Sequence, residues 1–172
     1  MSSASGQCSV DTYRRALTRR LARRSRARQT PRRMRTDRTG RGGGRGKVIL
    51  LGEHVVVHGR PALAAALEGG AEATARPAEA MALCVAPWGV RVSATGDEPL
   101  ARAFGCLVAA MGTPRAALVE ATVAVPSGAG LGSSAALGVA VLKAIDDLFE
   151  TARSEDELHE LALTWERVFH GN

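Results

Sequence analysis

Pro126-Ser-Gly-Ala-Gly-Leu-Gly-Ser-Ser-Ala-Ala136 is a glycine-rich loop that runs straight into an apolar helical pattern. Gly128, Gly130 and Gly132 allow tight turns and let backbone N–H groups approach a ligand closely. The loop ends where a helix begins, and the unpaired N–H groups and positive dipole end there favour an anion. Ser133 and Ser134 fall in the first turn, so a hydroxyl can reach a phosphate oxygen or a metal. The pattern is not the Walker loop, because no Gly-Lys-Ser/Thr closes it, and the Rossmann spacing with its acidic partner is missing too. The residues alone leave two readings, a phosphate-binding loop and a strand-to-helix turn capped by serine.

Downstream, Ser133 to Phe149 is apolar nearly all round, which predicts a buried helix. A second helix is predicted from Ser154, with Ser154 and Glu157 as a capping box. Its core face would be Leu158, Leu161, Ala162, Trp165, Val168 and Phe169. Upstream, Val119 to Val125 alternates as a strand, with Glu120 and Thr122 opposite Val119, Ala121 and Val123. Pro99 to Met111 reads as a helix, with Pro in its first turn and Gly112 after its end. Met81 to Val85 and Val90 to Ala94 read as strands. Further back, Lys47 to Leu51 is an apolar strand, interrupted by Gly52 and resumed over Glu53 to Val57. His58-Gly-Arg-Pro61 is turn chemistry, and Ala62 to Leu67 is ambiguous between helix and strand. Gly42 to Gly46 reads as a flexible joint. Strands first and helices later predict an α+β domain.

The net charge of +6 over 172 residues averages two unlike segments. Residues 1–46 hold fourteen Arg, no Lys and only Asp11 and Asp37 as acids, whereas residues 47–172 carry a charge of −6. Low apolar content and high charge predict that residues 1–46 form a disordered Arg-rich extension, with the folded domain at 47–172. One aromatic, Tyr13, and no reading motif in that arm argue against a nucleic-acid partner. No apolar stretch reaches membrane-spanning length without charge, Gly or Pro, which argues against a membrane. Cys8, Cys84 and Cys106 are odd in number and far apart, so reduced cytosolic thiols are expected, with Cys84 and Cys106 as small core residues. The four His lack ligand spacing for zinc.

Three segments in order resemble one family. The loop is similar to the second motif of the GHMP small-molecule kinases, which include galactokinases, homoserine kinases, mevalonate kinases and phosphomevalonate kinases. Gly46-Lys-Val-Ile-Leu-Leu-Gly-Glu-His-Val-Val-Val-His-Gly-Arg-Pro-Ala-Leu-Ala64 resembles the start of the mevalonate kinases, and Glu166-Arg-Val-Phe-His-Gly-Asn172 resembles a later segment of theirs. The resemblance implies the GHMP N-terminal domain, similar to the second domain of ribosomal protein S5, a mixed sheet packed on helices. It implies ATP and Mg2+ as cofactors and mevalonate as substrate, phosphorylated in the cytoplasm to 5-phosphomevalonate for isoprenoid synthesis.

By the same resemblance Gly128, Ala129, Gly130, Leu131, Gly132, Ser133 and Ser134 would wrap the ATP phosphates. Ser134 and Glu166 would hold Mg2+, and Lys47 would stand by the attacking hydroxyl as the catalytic cation. Glu53 and His54 match the substrate-side pair, and His58 would support the turn. In the family an Asp, the proposed base, follows in a Pro-Ser-Gly-Val/Ile-Asp segment after the position of Asn172, and a ferredoxin-like C-terminal domain closes the cleft. The expectation for these 172 residues is therefore a truncated N-terminal portion with impaired turnover. A homodimer and a separately encoded C-terminal half are the partners left open. The alternatives are a phosphomevalonate kinase, and an inactive kinase fragment with a basic nucleic-acid-binding tail.

Overall fold

The computed structural model describes residues 38–113 and 115–170. The disordered extension expected over residues 1–46 therefore lies, over residues 1–37, outside the described residues. In chain order the elements are β1 (Gly40–Leu51), β2 (Leu63–Pro77), β3 (Ala82–Val85), β4 (Val90–Ser93), α1 (Pro99–Met111), β5 (Ala117–Val123), α2 (Ser133–Phe149) and α3 (Glu155–His170). Single 3-10 turns occupy Val56–His58 and Ala86–Trp88. The strands form one sheet in the order β1-β2-β5-β3-β4. Among the described strands, β3 pairs with β5 in parallel and the other pairings are antiparallel. This is the α+β architecture with a mixed sheet expected from the sequence.

One face of the sheet is buried and the other open, as period-two alternation requires. Ala71, Ala73 and Ala75 of β2, Leu83 and Val85 of β3, and Ala117, Val119 and Ala121 of β5 are buried. Arg41, Arg45, Glu72, Thr74, Arg76, Glu120 and Thr122 lie exposed on the opposite face. Helix α2 lies on β1, β2 and β5, and α3 packs on both α2 and α1. The core joins these layers through Phe104, Leu107, Leu137, Leu142, Ile145, Leu148, Leu161 and Trp165.

The start of β1 corrects the flexible joint. Gly42 to Gly46 is strand, with Gly42, Gly43, Gly44 and Arg45 opposite Ala73, Glu72, Ala71 and Gly70 of β2. The glycines are there for contact rather than for mobility. A Cβ on Gly40, Gly42 or Gly44 would lie 2.2, 2.2 and 2.1 Å from the carbonyl oxygens of Ala144, Ala140 and Ala136. Those alanines are four apart on α2, so strand backbone rests directly on helix backbone along one row. The ordered domain thus begins before residue 47.

Two further expectations change. Glu53 to Val57 does not resume the strand; the Val55 and Val56 amides donate back to Gly52 O and the chain enters the 3-10 turn. Gly52 has φ +89°, and a Cβ there would lie 2.7 Å from Pro61 O, so β1 turns away at this residue. The ambiguous stretch Ala62 to Leu67 resolves as strand from Leu63 onward, the opening of the fifteen-residue β2. Cys84 and Cys106 are half-buried rather than core residues. The Pro99–Met111 and Ser133–Phe149 helices have the predicted bounds. Helix α3 opens with the predicted capping box: the Ser154 amide donates to Glu157 Oε2 at 3.0 Å and the Glu157 amide to Ser154 Oγ at 3.3 Å.

Candidate nucleotide and metal site

The glycine loop is built from three left-handed residues. Gly128, Gly130 and Gly132 have φ of +76°, +71° and +72°, a region that side chains other than glycine's rarely adopt. Gly132 is the N-cap of α2, and no side chain caps that helix start. The first-turn amides are thus left to the loop, the arrangement that suits an anion.

Strand β1 holds the loop in place. The Lys47 amide donates to Leu131 O at 2.9 Å, and the Lys47 ammonium donates to Gly130 O at 3.0 Å. The side-chain stem lies over Gly132, where a Cβ would sit 3.1 Å from Lys47 Cγ. The pairing of β1 with β2 shifts register between Arg45 and Lys47, at the point where the strand meets the loop. Lys47 is therefore at the loop although 83 residues separate it from Gly130.

Where the loop enters α2, Ser134 Oγ donates to Glu166 Oε1 at 3.0 Å. Helices α2 and α3 pack together here and bring the two residues from 32 positions apart. Glu166 Oε2 is 3.6 Å from His170 Nε2, one turn further along α3. A hydroxyl and a carboxylate are hard oxygen donors of the kind Mg2+ takes, with water and phosphate oxygens completing its shell. Among the described residues there is no group of three or more His, Cys, Asp or Glu able to hold a metal. A cation at this point would depend on Ser134, Glu166 and a ligand's own oxygens.

The other predicted site residues stand differently. Glu53 and His54 are exposed in the turn after β1. No hydrogen bond or ion pair joins them to the loop among the described residues. Helical spacing places Trp165 on the core face of α3. It is fully buried, yet its indole Nε1 donates to Ser134 Oγ at 3.2 Å. Helical spacing identified its buried face but carried no sign of that bond.

With this geometry described, likeness to known proteins is informative. Residues 99–172 match the family model described as GHMP kinases N terminal domain. The loop and the helix behind it lie within the matched residues, and the described sheet and helices match the fold of solved mevalonate kinases. Its relatives include the mevalonate kinase of Methanothermobacter thermautotrophicus, 34% identical over 109 residues, covering 58% of this chain and 33% of the relative. The mevalonate kinase of Thermococcus onnurineus is 33% identical over 148 residues, covering 73% of this chain and 44% of the relative. The chain thus spans less than half the length of these curated relatives. Among solved structures, the mevalonate kinase of methicillin-resistant Staphylococcus aureus superposes with a TM-score of 0.60 at 29% identity, covering 78% of this chain and 47% of that one. The Methanococcus jannaschii mevalonate kinase gives a TM-score of 0.68 at 19% identity, covering 80% and 49%, a likeness of fold.

Proposed function

We propose that this chain supplies the nucleotide and metal side of a mevalonate kinase, transferring the ATP γ-phosphoryl group to the terminal hydroxyl of mevalonate. The observation that carries the reading is the Ser134–Glu166 contact beside the uncapped start of α2, with Lys47 bonded to the loop at Gly130. Names of the relatives support mevalonate as the acceptor.

In this reading the amides of Gly128 to Ser134 receive the ATP phosphates, a cradle of fixed dipoles that needs no reorganisation when charge shifts. Ser134 and Glu166 would hold Mg2+, which neutralises charge on the nucleotide oxygens when bound. The Lys47 ammonium leaves Gly130 O for the transferred group and offsets the charge developing on the attacking oxygen. Glu53 and His54 take the substrate side, one strand-end beyond Lys47 on the same segment. A cleft-closing second domain and cytoplasmic location belong to the same proposal.

The test is calorimetric titration of the full chain with ATP, in Mg2+ and in EDTA. Tighter binding in Mg2+ is expected, with the difference removed by Glu166→Gln. Equal affinity in the two conditions would sink the reading. With the C-terminal half supplied, ADP release driven by mevalonate rather than by phosphomevalonate is the expected acceptor preference, and the reverse would move the reading to a phosphomevalonate kinase.

A further inference from the structure

Ser134 is held by two neighbouring residues, and only one of them is a metal-ligand candidate. Its hydroxyl donates to Glu166 Oε1 at 3.0 Å and accepts from Trp165 Nε1 at 3.2 Å. A serine oxygen offers one proton and two lone pairs. The indole takes one lone pair and the carboxylate takes the proton, which leaves a single lone pair uncommitted. Of the groups that touch Ser134, Trp165 is the rigid one. It is fully buried, and Phe169, one turn on, packs a tilted ring 6.0 Å from it. Its seat is cut into α2 by Gly138, where a Cβ would meet Trp165 Cδ1 and Cγ at 2.7 Å and Nε1 at 2.9 Å. Ser134 and Gly138 are four apart, so they share the face of α2 that the indole covers.

We propose that Trp165 is a positioning residue for the Ser134 hydroxyl, fixing its rotation so that the remaining lone pair is presented to a divalent cation shared with Glu166. This rests on the nucleotide and metal reading above. A buried indole N–H needs a partner, and here the partner is a site residue rather than a backbone carbonyl. Trp165 then has a second consequence. Its N–H senses whatever binds Ser134, which makes the indole a built-in reporter of cation binding.

The experiment uses the full chain labelled at the indole nitrogens, with Trp88→Phe to leave one signal. Ser134→Ala is expected to move the Trp165 indole resonance upfield as its acceptor is lost. ATP with Mg2+ is expected to move the same resonance further than ATP in EDTA. Calorimetry is run in parallel on Trp165→Phe, which keeps an aromatic ring and removes the donor. The Mg2+ enhancement of ATP affinity is expected to fall roughly fivefold, the scale of one lost hydrogen bond, with affinity in EDTA unchanged. Benzothienylalanine at position 165 gives the same result with less change of shape, and it replaces the phenylalanine variant if that one unfolds. An indole resonance indifferent to Ser134→Ala, or an unchanged Mg2+ enhancement in the donor-less variants, overturns the proposal. A loss of affinity equal in Mg2+ and EDTA overturns it as well, since that is the mark of a merely structural residue. Absence of any Mg2+ enhancement in the unaltered chain instead removes the metal reading itself, and the positioning role with it.

Discussion

At the scale of single residues, the site has two flanks that should fail differently. Lys47 stands on the β1 side, and its ammonium donates to the carbonyl of Gly130. Lys47→Met should leave the fold intact and, in a protein completed by the C-terminal half, reduce phosphoryl transfer by about a hundredfold or more, the usual scale for a lost transition-state charge partner. Paired single-turnover and calorimetric measurements check that the loss falls mainly on the rate. Ser134→Ala should act on the cation instead, weakening Mg2+-dependent ATP binding about tenfold while sparing binding in EDTA, since one charge-assisted hydrogen bond is worth about 1.5–3 kcal/mol. Ser134, Glu166 and Lys47 each stand in a sequence motif, and the structure places each beside the loop. The bond from Trp165 was not legible in the sequence, because periodicity reports which side of a helix is buried and is silent on what a buried donor meets.

At the scale of elements, the strand–helix contact of β1 with α2 is the most demanding. Gly44→Ala would drive a methyl to about 2.1 Å from Ala136 O, a backbone atom that cannot rotate away. The expected loss is about 2–3 kcal/mol, at the upper end for overpacking, readable as a lower midpoint in urea. Gly138→Ala presses instead on the Trp165 ring. It should cost about 1–2 kcal/mol after the gain in helix propensity, and perturb the indole resonance. The ends of α1 and α2 share a clasp in which Arg153 donates to Met111 O and Asp146 Oδ1, each at 2.7 Å, and Thr151 bonds Asp146. The Arg153 and Asp146 side chains are only 15% and 14% exposed. Arg153→Ala should therefore cost about 2–3 kcal/mol in chemical unfolding, more than a surface ion pair would.

At the scale of the whole molecule, sheet and helices share one core, so the described residues should unfold together. A chain begun at Lys47 loses Gly40 to Gly46 of β1 and the floor of α2 with it. It is expected to lack the cooperative thermal transition of the full chain, which circular dichroism would record. Leu50, Leu51, Val55, Val56, Val57 and Leu63 form the opposite case, apolar side chains gathered at the far end of β1 and exposed by 44–78%. Val57→Thr should change stability by less than about 0.5 kcal/mol, because little apolar area there leaves water on folding.

The sequence by itself determined the signals that are local. Helical spacing from Pro99 and from Ser133, the Ser154–Glu157 box and the glycine loop each act within a few residues, so their outcomes match what spacing and capping predict. Tertiary structure decided the rest. Gly42 to Gly46 is as glycine-rich as a linker, and only the α2 backbone lying across it makes each missing Cβ a packing requirement. Glu53 to Val57 has strand composition, and only the close approach of Gly52 to Pro61 and Ala62 turns it out of the sheet. Ser134, Trp165 and Glu166 meet because two helices pack, and a bond between residues 31 or 32 apart leaves no periodic trace in the chain.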